Sequence, residues 1–389
     1  MKTSIQSYLK EQLELHPSIM PRDMIKLCYQ SAFGAEHLLS DLAAAKEYLR
    51  LEIDSVDDSG DALFEPVSAD VCRVNLSSWK AKNLPADWLF NMFALTASVT
   101  INGDGCAIFA RHIAEVTSMA QSGELPFSAD EWRKFYDEYE QGGVRAVHHS
   151  DEYRETEKPA YRIVLSRFTR LFPILELIAK KAHAERAETA PQGDGSQETT
   201  TAVVSVSAET APQGDGSQET TTLVVVSVDG RAASGKTTLA AELAKITGAG
   251  VVHMDDFFLP LDLRSDERFA EAGGNVHYER FLSEVMPFIR DEGAFAYRIF
   301  DCGELDFVGL RDVVPSRIRV IEGAYACHPK FGDYADVRVF SDVEPTEQMA
   351  RIVSRDGDEM AEMFRSRWLP FEEHYIEACG IMEKADLII

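Results

Sequence analysis

The chain has 389 residues, 45% apolar and 10% aromatic, so it is long enough to form two folded domains. Its formal net charge of −26 argues against nucleic acid or an anionic membrane surface as a partner, because both would repel it. The six cysteines form no C-x-x-C pair, and the sequence contains neither a signal-peptide core nor a run of 18 apolar residues. We therefore expect a cytoplasmic protein with reduced thiols.

Apolar residues at three- and four-residue spacing predict that residues 1–185 form a mainly α-helical domain. The alternating stretch Val71 to Leu76 is its strand candidate. Ser128 and Glu131 have the spacing of a capping box, and Pro173 is expected to kink or restart the last helix. The predicted helices cover Ile5 to Leu13, Met24 to Ala32, Glu36 to Leu51, Ala86 to Ala97 and Cys106 to Ala120, a segment from Ser128, and Tyr161 to His183.

Four histidines in this domain raise the question of a metal site. His16, His37, His148 and His149 have Glu36 and Asp151 near them in sequence, but they lack the spacing of metal ligands. Hydrogen-bonded or surface histidines are the favoured interpretation, and we assign no function to this domain from its sequence.

A duplicated segment follows the helical region. The sequence AETAPQGDGSQETTT occurs at 187–201 and again at 208–222. It is rich in Gly, Pro, Ser, Thr and Gln and has little to bury, so it predicts a flexible linker over residues 186–221 and not a solenoid repeat. For the valines of 203–206, an edge strand is the alternative.

Residues 222–389 alternate between short runs of valine and isoleucine and helical segments. This order predicts a parallel sheet with helices on both faces, an α/β fold. Between the first run and the first helix, a segment beginning at Gly230 matches the phosphate-binding motif G-x-x-x-x-G-K-[ST]. The predicted strands are Leu223 to Val228, Val251 to Met254, Ile318 to Ile321, Val337 to Phe340 and Ala385 to Ile389.

The motif predicts a binding site for ATP and Mg²⁺. Its glycines let successive backbone N–H groups point at phosphate oxygens, its lysine contacts the β- and γ-phosphates, and the next hydroxyl ligates magnesium. The residues predicted to bind the nucleotide are Gly230, Ala233, Ser234, Gly235, Lys236, Thr237 and Thr238.

Three carboxylates follow predicted strands at the sheet edge where ligands of such folds bind. A kinase that acts on an alcohol needs a carboxylate to accept the hydroxyl proton, and Asp255 or Asp256 can supply it. A helix N-cap is the alternative for either aspartate. Glu322 is predicted to hold magnesium or its waters, together with Thr237 and Asp256.

In combination, these motifs resemble the uridine kinase family of P-loop kinases over about Leu223 to Ile389. The resemblance rests on the phosphate loop, His253-Met-Asp-Asp-Phe-Phe258, Phe300-Asp-Cys302 and Ile321-Glu-Gly323, which occur in the family's order. It implies an ATP-dependent kinase whose acceptor is a nucleoside or a similar small molecule with a hydroxyl group.

The resemblance also assigns roles to residues. It makes Asp255 the catalytic base, with His277 and Glu279 at the acceptor sugar and Asp301 lining the acceptor pocket. Arg351 and Arg355 would lie on a lid helix that closes over the phosphates. Arg365 and Arg367 are further lid candidates.

Two other functions remain open from the sequence. One is a nucleotide-dependent switch or regulatory ATPase with the helical domain as its effector, although no guanine-specific N-K-x-D motif is present. The other is an ATP-binding module with a structural role, in which Lys236 or Thr237 would be idle. The sequence leaves a homo-oligomer open.

Overall fold

The computed structural model of the chain describes residues 5–35, 41–58, 60, 62–98, 104–189 and 222–389. The predictions for Glu36, His37 and the valines of 203–206 lie outside these ranges, as does the linker beyond residue 189. Within them, no helix is long and apolar enough to cross a membrane.

The region before residue 190 is mainly helical, as predicted. Helix α7 begins with the expected capping box: the Ser128 hydroxyl accepts from the Glu131 N–H, and the Glu131 carboxylate accepts from the Ser128 N–H. The helices are α1 Ile5–Leu15, α2 Pro21–Phe33, α3 Leu42–Ser55, α4 Leu76–Ala81, α5 Ala86–Ala97, α6 Gly105–Ser122, α7 Ala129–Gln141, α8 Asp151–Glu157 and α9 Phe172–Thr189.

A small antiparallel sheet lies among these helices, in the order β1 Phe64–Pro66, β2 Val71–Asn75 and β3 Tyr161–Leu165. The predicted helix over Tyr161 to His183 is therefore wrong in its first part. Residues 161–165 pair with β2, a contact between distant parts of the chain that helical spacing cannot reveal. The helix restarts at Phe172, with Pro173 in its first turn.

A polar network stabilises this helical region. The buried guanidinium of Arg73 donates to Gln12 at 2.9 Å and to Glu65 at 2.7 Å. His149 lies between the Asp23 carboxylate and the Tyr161 hydroxyl, at 2.7 and 2.6 Å. Burial lowers the pKa of His149 to about 4, which favours the neutral ring.

His16 has a similar structural role, because it contacts Glu65 at 3.0 Å and Glu157 at 3.1 Å. In the parts of the chain described above, no group of three or more His, Cys, Asp or Glu side chains is arranged to hold a metal ion.

Residues 222–389 form the predicted α/β fold. The strands are β4 Val224–Gly230, β5 Gly250–His253, β6 Phe295–Asp301, β7 Asp306–Val313, β8 Ile318–Glu322, β9 Val337–Ser341 and β10 Leu387–Ile388. Five of them make a parallel sheet in the order β10-β9-β4-β8-β5. The helices are α10 Lys236–Thr247, α11 Asp266–Ala270, α12 Tyr278–Glu284, α13 Pro345–Met363 and α14 Leu369–Cys379.

The sheet is buried on both faces, as its valine and isoleucine runs predicted. Val224, Val226 and Val228 belong to the hydrophobic cluster that includes α10, whereas Val225 points into a second cluster with α12 and α14. Strands β6 and β7, which the sequence patterns did not predict, form an antiparallel hairpin and pair with no other strand in the described part of the chain.

Helix α10 connects the two halves of the molecule. Its buried residues Leu239, Leu243 and Ile246 belong to the same hydrophobic cluster as the core of the helical region, and α5 packs against it. Asn91 of α5 donates to the Ile246 carbonyl at 2.8 Å. The helical and α/β regions therefore share one core through the helix that follows the phosphate loop.

Candidate active site

The turn between β4 and α10 has the backbone of a phosphate-binding loop. Gly230, Ala233 and Gly235 all have positive φ angles, of 141°, 57° and 100°. A Cβ at Gly230 would lie 2.1 Å from the Ser341 carbonyl oxygen, so the close approach of β9 requires glycine there. Positive φ angles of this kind occur in the backbone of anion-binding loops.

Lys236 is the first residue of α10 and is buried beneath this loop. Its Nζ donates to the carbonyls of Gly230 and Arg231, at 2.8 and 2.7 Å. These contacts hold the ammonium group at the inner side of the loop, on the wall of a cavity that Thr237 and Thr238 also line. The predicted loop residues are thereby brought to one place.

The buried carboxylate of Asp229, at the end of β4, stabilises the loop by hydrogen bonds. Asp229 accepts from the N–H groups of Gly230 and Cys327, at 2.7 and 2.8 Å, and from the Tyr375 hydroxyl at 2.7 Å. Gly230 belongs to the loop, Cys327 to the segment after β8, and Tyr375 to α14. Asp229 therefore links these three segments. No motif in the sequence marks Asp229.

The adjacent aspartates after β5 face different surroundings. Asp255 lines the cavity that contains Lys236, so its carboxylate is accessible from the cavity although protein surrounds it. Desolvation by the surrounding protein raises the pKa of Asp255, and the nearby Glu322 carboxylate raises it further. A raised pKa suits a group that accepts a proton from an alcohol.

Asp256 turns away from the cavity into the protein. Its carboxylate accepts from the Arg311 guanidinium at 2.6 and 3.2 Å and from the Tyr297 hydroxyl at 3.0 Å. Both partners belong to the β6–β7 hairpin. The predicted role of Asp256 as a magnesium ligand finds no support in this geometry, because these hydrogen bonds occupy its oxygens.

Glu322 and Thr237 offer oxygen ligands for a magnesium ion. The Thr237 hydroxyl donates to the Glu322 carboxylate at 3.2 Å, and His253 Nδ1 lies 2.5 Å from the other carboxylate oxygen. Gly323 follows, and a Cβ there would lie 2.8 Å from Met254 Cβ, so a small residue keeps β8 close to β5. Paired hydroxyl and carboxylate oxygens are the ligand types that magnesium prefers.

The cavity has a volume of about 830 Å³ and extends from the loop to the segment after β5. Arg351 and Arg355 of α13 line it, as predicted for a lid, and Arg351 donates to the Ala233 carbonyl at 3.0 Å. Gly357, with a φ of 83°, interrupts α13 beyond these arginines.

The other two lid candidates lie off the cavity. Arg365 pairs with Glu362, and the Arg367 guanidinium lies over the ring of Phe269, 5.4 Å from its centre.

The predicted acceptor residues lie beside the cavity and do not line it. His277 caps α12 and faces a smaller cavity of about 500 Å³, and Glu279 pairs with Arg268 at 2.7 Å. Asp301 accepts from N–H groups of the hairpin turn, which uses its carboxylate locally. Asn275 and Cys302, each one or two residues away, line the main cavity instead.

Sequence reasoning also missed Glu372 of α14. Its carboxylate accepts from the Ala232 N–H in the phosphate loop at 2.8 Å, and it lines the cavity. Burial raises the pKa of Glu372 to about 7. No motif marks this position, since α14 lies more than 130 residues beyond the loop it contacts.

No family model matches the chain. A structure described as a possible uridine kinase from Bacillus stearothermophilus is similar to it at 21% identity, covering 44% of this chain and 91% of that one with a TM-score of 0.34. A candidate fructose transport system kinase from Silicibacter sp. TM1040 is similar at 26% identity, covering 45% and 92% with a TM-score of 0.36.

Proposed function

We propose that this protein is a cytoplasmic kinase that transfers the γ-phosphoryl group of Mg-ATP to a hydroxyl group of a small molecule. One observation carries the proposal: the phosphate loop with Lys236 and the Asp255 carboxylate line a single cavity. A loop alone would suit many ATP-binding proteins. A carboxylate of raised pKa beside it suits transfer to an alcohol.

The chemistry assigns a task to each group. The acceptor oxygen forms a bond to the γ-phosphorus while the bond from that phosphorus to the β,γ-bridging oxygen breaks, and ADP leaves with the electron pair. Asp255 takes the hydroxyl proton, so the acceptor leaves as a phosphate ester. Lys236 and the loop N–H groups bind the phosphates throughout, and Arg351 and Arg355 add positive charge from the lid.

Thr237 and Glu322 would hold magnesium, which when bound offsets the negative charge of the phosphates. The hydroxyl and the carboxylate are 3.2 Å apart and both lie at the cavity, so the two groups are positioned to share one ion or its water ligands.

Substitution of Asp255 tests the proposal. We expect Asp255→Asn to reduce phosphoryl transfer by roughly 10² to 10⁴, because the general base is lost, while Mg-ATP still binds. Transfer is measured by ADP release with a panel of nucleosides, sugars and vitamin alcohols, and binding by calorimetry. Asp137→Asn on the surface of α7 is the matched control. Full turnover in the Asp255 variant would remove this residue from the role of base.

The packing of α5 against α10 favours one alternative, a regulatory ATPase in which the helical region responds to the nucleotide. The two functions differ in what the γ-phosphoryl group is transferred to. If the protein hydrolyses ATP and no added alcohol accelerates the reaction, the result would support the regulatory function and contradict the kinase function.

A further inference from the structure

The cavity is lined by an arginine that has no acidic partner among the described residues. Of the fourteen arginines between residues 222 and 389, eleven form an ion pair with a carboxylate. The three that do not are Arg264, Arg319 and Arg367. Such extensive pairing is expected in a chain with 65 acidic residues, so an arginine without a carboxylate needs an explanation.

Two of the three are accounted for by their contacts. Arg319 is fully buried and donates to the carbonyls of Val314, Asp291 and Gly293. Arg367 lies over aromatic rings and does not line the cavity. Arg264 alone among these three lines the cavity.

The position of Arg264 is fixed by the protein. Its Nε donates to the Leu259 carbonyl at 2.9 Å. Within the described residues, this bond is the one hydrogen bond that its guanidinium makes. The two Nη nitrogens are thus held in place with their N–H groups available to a ligand. A planar guanidinium of this kind matches the two oxygens of a carboxylate or a phosphate.

The segment that carries Arg264 also contains the proposed base. Phe258 and Leu259 follow Asp255 and line the same cavity. The Leu259 N–H donates to the Asn275 carbonyl at 3.2 Å, which places the Asn275 side chain on this wall as well. An acid, an amide, a guanidinium and two apolar side chains therefore line the same cavity.

Lys236 provides an internal comparison at the nucleotide side. It too lines the cavity and has no carboxylate within ion-pair distance among the described residues, and its predicted ligand is the anionic end of ATP. By the same physical reasoning, a cation that the protein leaves without an acid is matched by an anion of the ligand.

We propose that Arg264 binds a carboxylate or phosphate group of the phosphoryl acceptor, so that the acceptor is a small hydroxyl compound with a negative charge and an apolar body that packs on Phe258 and Leu259. This inference rests on the proposed kinase function and adds the chemical class of its acceptor. It departs from the nucleoside acceptor that the sequence resemblance implies, because a nucleoside has no anionic group.

The test uses acceptors in matched pairs with the full-length protein and Mg-ATP. The pairs are glycerate with glycerol, pantothenate with pantothenyl alcohol, and ribose 5-phosphate with ribose. We expect a charged member of a pair to be phosphorylated with a kcat/KM at least about tenfold above that of its neutral partner. Carboxylate and phosphate pairs distinguish the two possible anionic groups.

Arg264→Gln should then lower kcat/KM for the charged acceptor by roughly ten- to a hundredfold, leave the neutral partner unchanged and keep the same affinity for Mg-ATP. Arg264→Lys should retain part of the preference, because it keeps the charge and loses the planar fork. Arg133→Gln on the surface of α7 is the matched control. Equal losses for both members of a pair, or a loss of ATP affinity, would overturn the assignment.

Binding separates this inference from the kinase function. The charged and neutral compounds are titrated calorimetrically into the Asp255→Asn protein saturated with magnesium and a non-hydrolysable ATP analogue. Binding of a charged compound that is lost in Arg264→Gln supports the inference even where no compound is phosphorylated. If none of the charged compounds binds or reacts, or the neutral ones bind better, the inference is wrong.

Discussion

Asp255 and Asp256 show how much two neighbouring side chains can differ. One faces the cavity beside Lys236, and the other is enclosed by Arg311 and Tyr297. The sequence offered both as candidates for the base, because the local pattern of a strand followed by two acids treats them alike. Only the position of the hairpin, which is distant in sequence, separates their roles.

Glu372 should make nucleotide binding depend on pH. Burial raises its pKa to about 7, so the carboxyl is largely neutral at pH 6 and ionised at pH 8.5, when it repels the phosphates held by the adjacent loop. We expect the affinity for Mg-ATP to fall roughly three- to tenfold over this range relative to Glu372→Gln. Calorimetry at several pH values measures it, and parallel pH profiles for the two proteins would contradict the expectation.

The hairpin of β6 and β7 contacts the site through Tyr297 and Arg311, which both bind the Asp256 carboxylate. Among the described residues, neither of its strands pairs with the parallel sheet, and the contact of Arg311 and Tyr297 with Asp256 connects the hairpin to the segment after β5. Since Asp255 is the next residue along the chain, the same contact holds the proposed base in place. The hairpin thus positions a residue that it does not itself contain.

Removal of the Arg311 charge should destabilise the protein. Arg311→Gln leaves the buried Asp256 carboxylate without its cation, and we expect a loss of about 2–3 kcal/mol in the free energy of unfolding. Denaturant unfolding measures it. Arg298→Gln, which breaks an exposed pair with Glu284, is the control and should cost less than about 1 kcal/mol. Equal costs for the two variants would show that the Asp256 pair is not special.

Elements with strong local signals were predictable, and elements that depend on distant pairing were not. The valine run of β4, the glycine loop and α10 follow one another and define the nucleotide side from sequence alone. Tyr161–Leu165 resembled a helix because its strand partner β2 lies some 90 residues earlier. Arg264 and Glu372 reach the cavity from segments that no spacing connects to the loop.

At the scale of the whole molecule, the helical region covers one side of the α/β region. Apolar residues of α10 share a cluster with the helical core, and Glu242 accepts from Arg170 at 2.9 Å and lies 3.1 Å from Arg167. A sheet of this kind needs cover on both faces to bury its apolar side chains. The helical region supplies part of that cover, whatever else it does.

Residues 222–389 alone should therefore be unstable. Removing the helical region uncovers the part of α10 against which α5 packs, and we expect aggregation or a melting midpoint at least about 10 °C below that of the full chain. Size-exclusion chromatography and thermal unfolding measure it. Addition of a separately produced fragment of residues 1–189 should restore solubility. A stable, monomeric fragment 222–389 that binds Mg-ATP would show that the shared core is dispensable.

The geometry of α10 has a mechanical consequence. With twelve residues it is a stiff rod of about 18 Å, which carries the Lys236 ammonium group in its first turn and accepts a hydrogen bond from Asn91 near its last. A rod held at one end transmits a tilt to the other. A protein or metabolite that displaced α5 would thus move the Lys236 ammonium group from a distance, without entering the cavity.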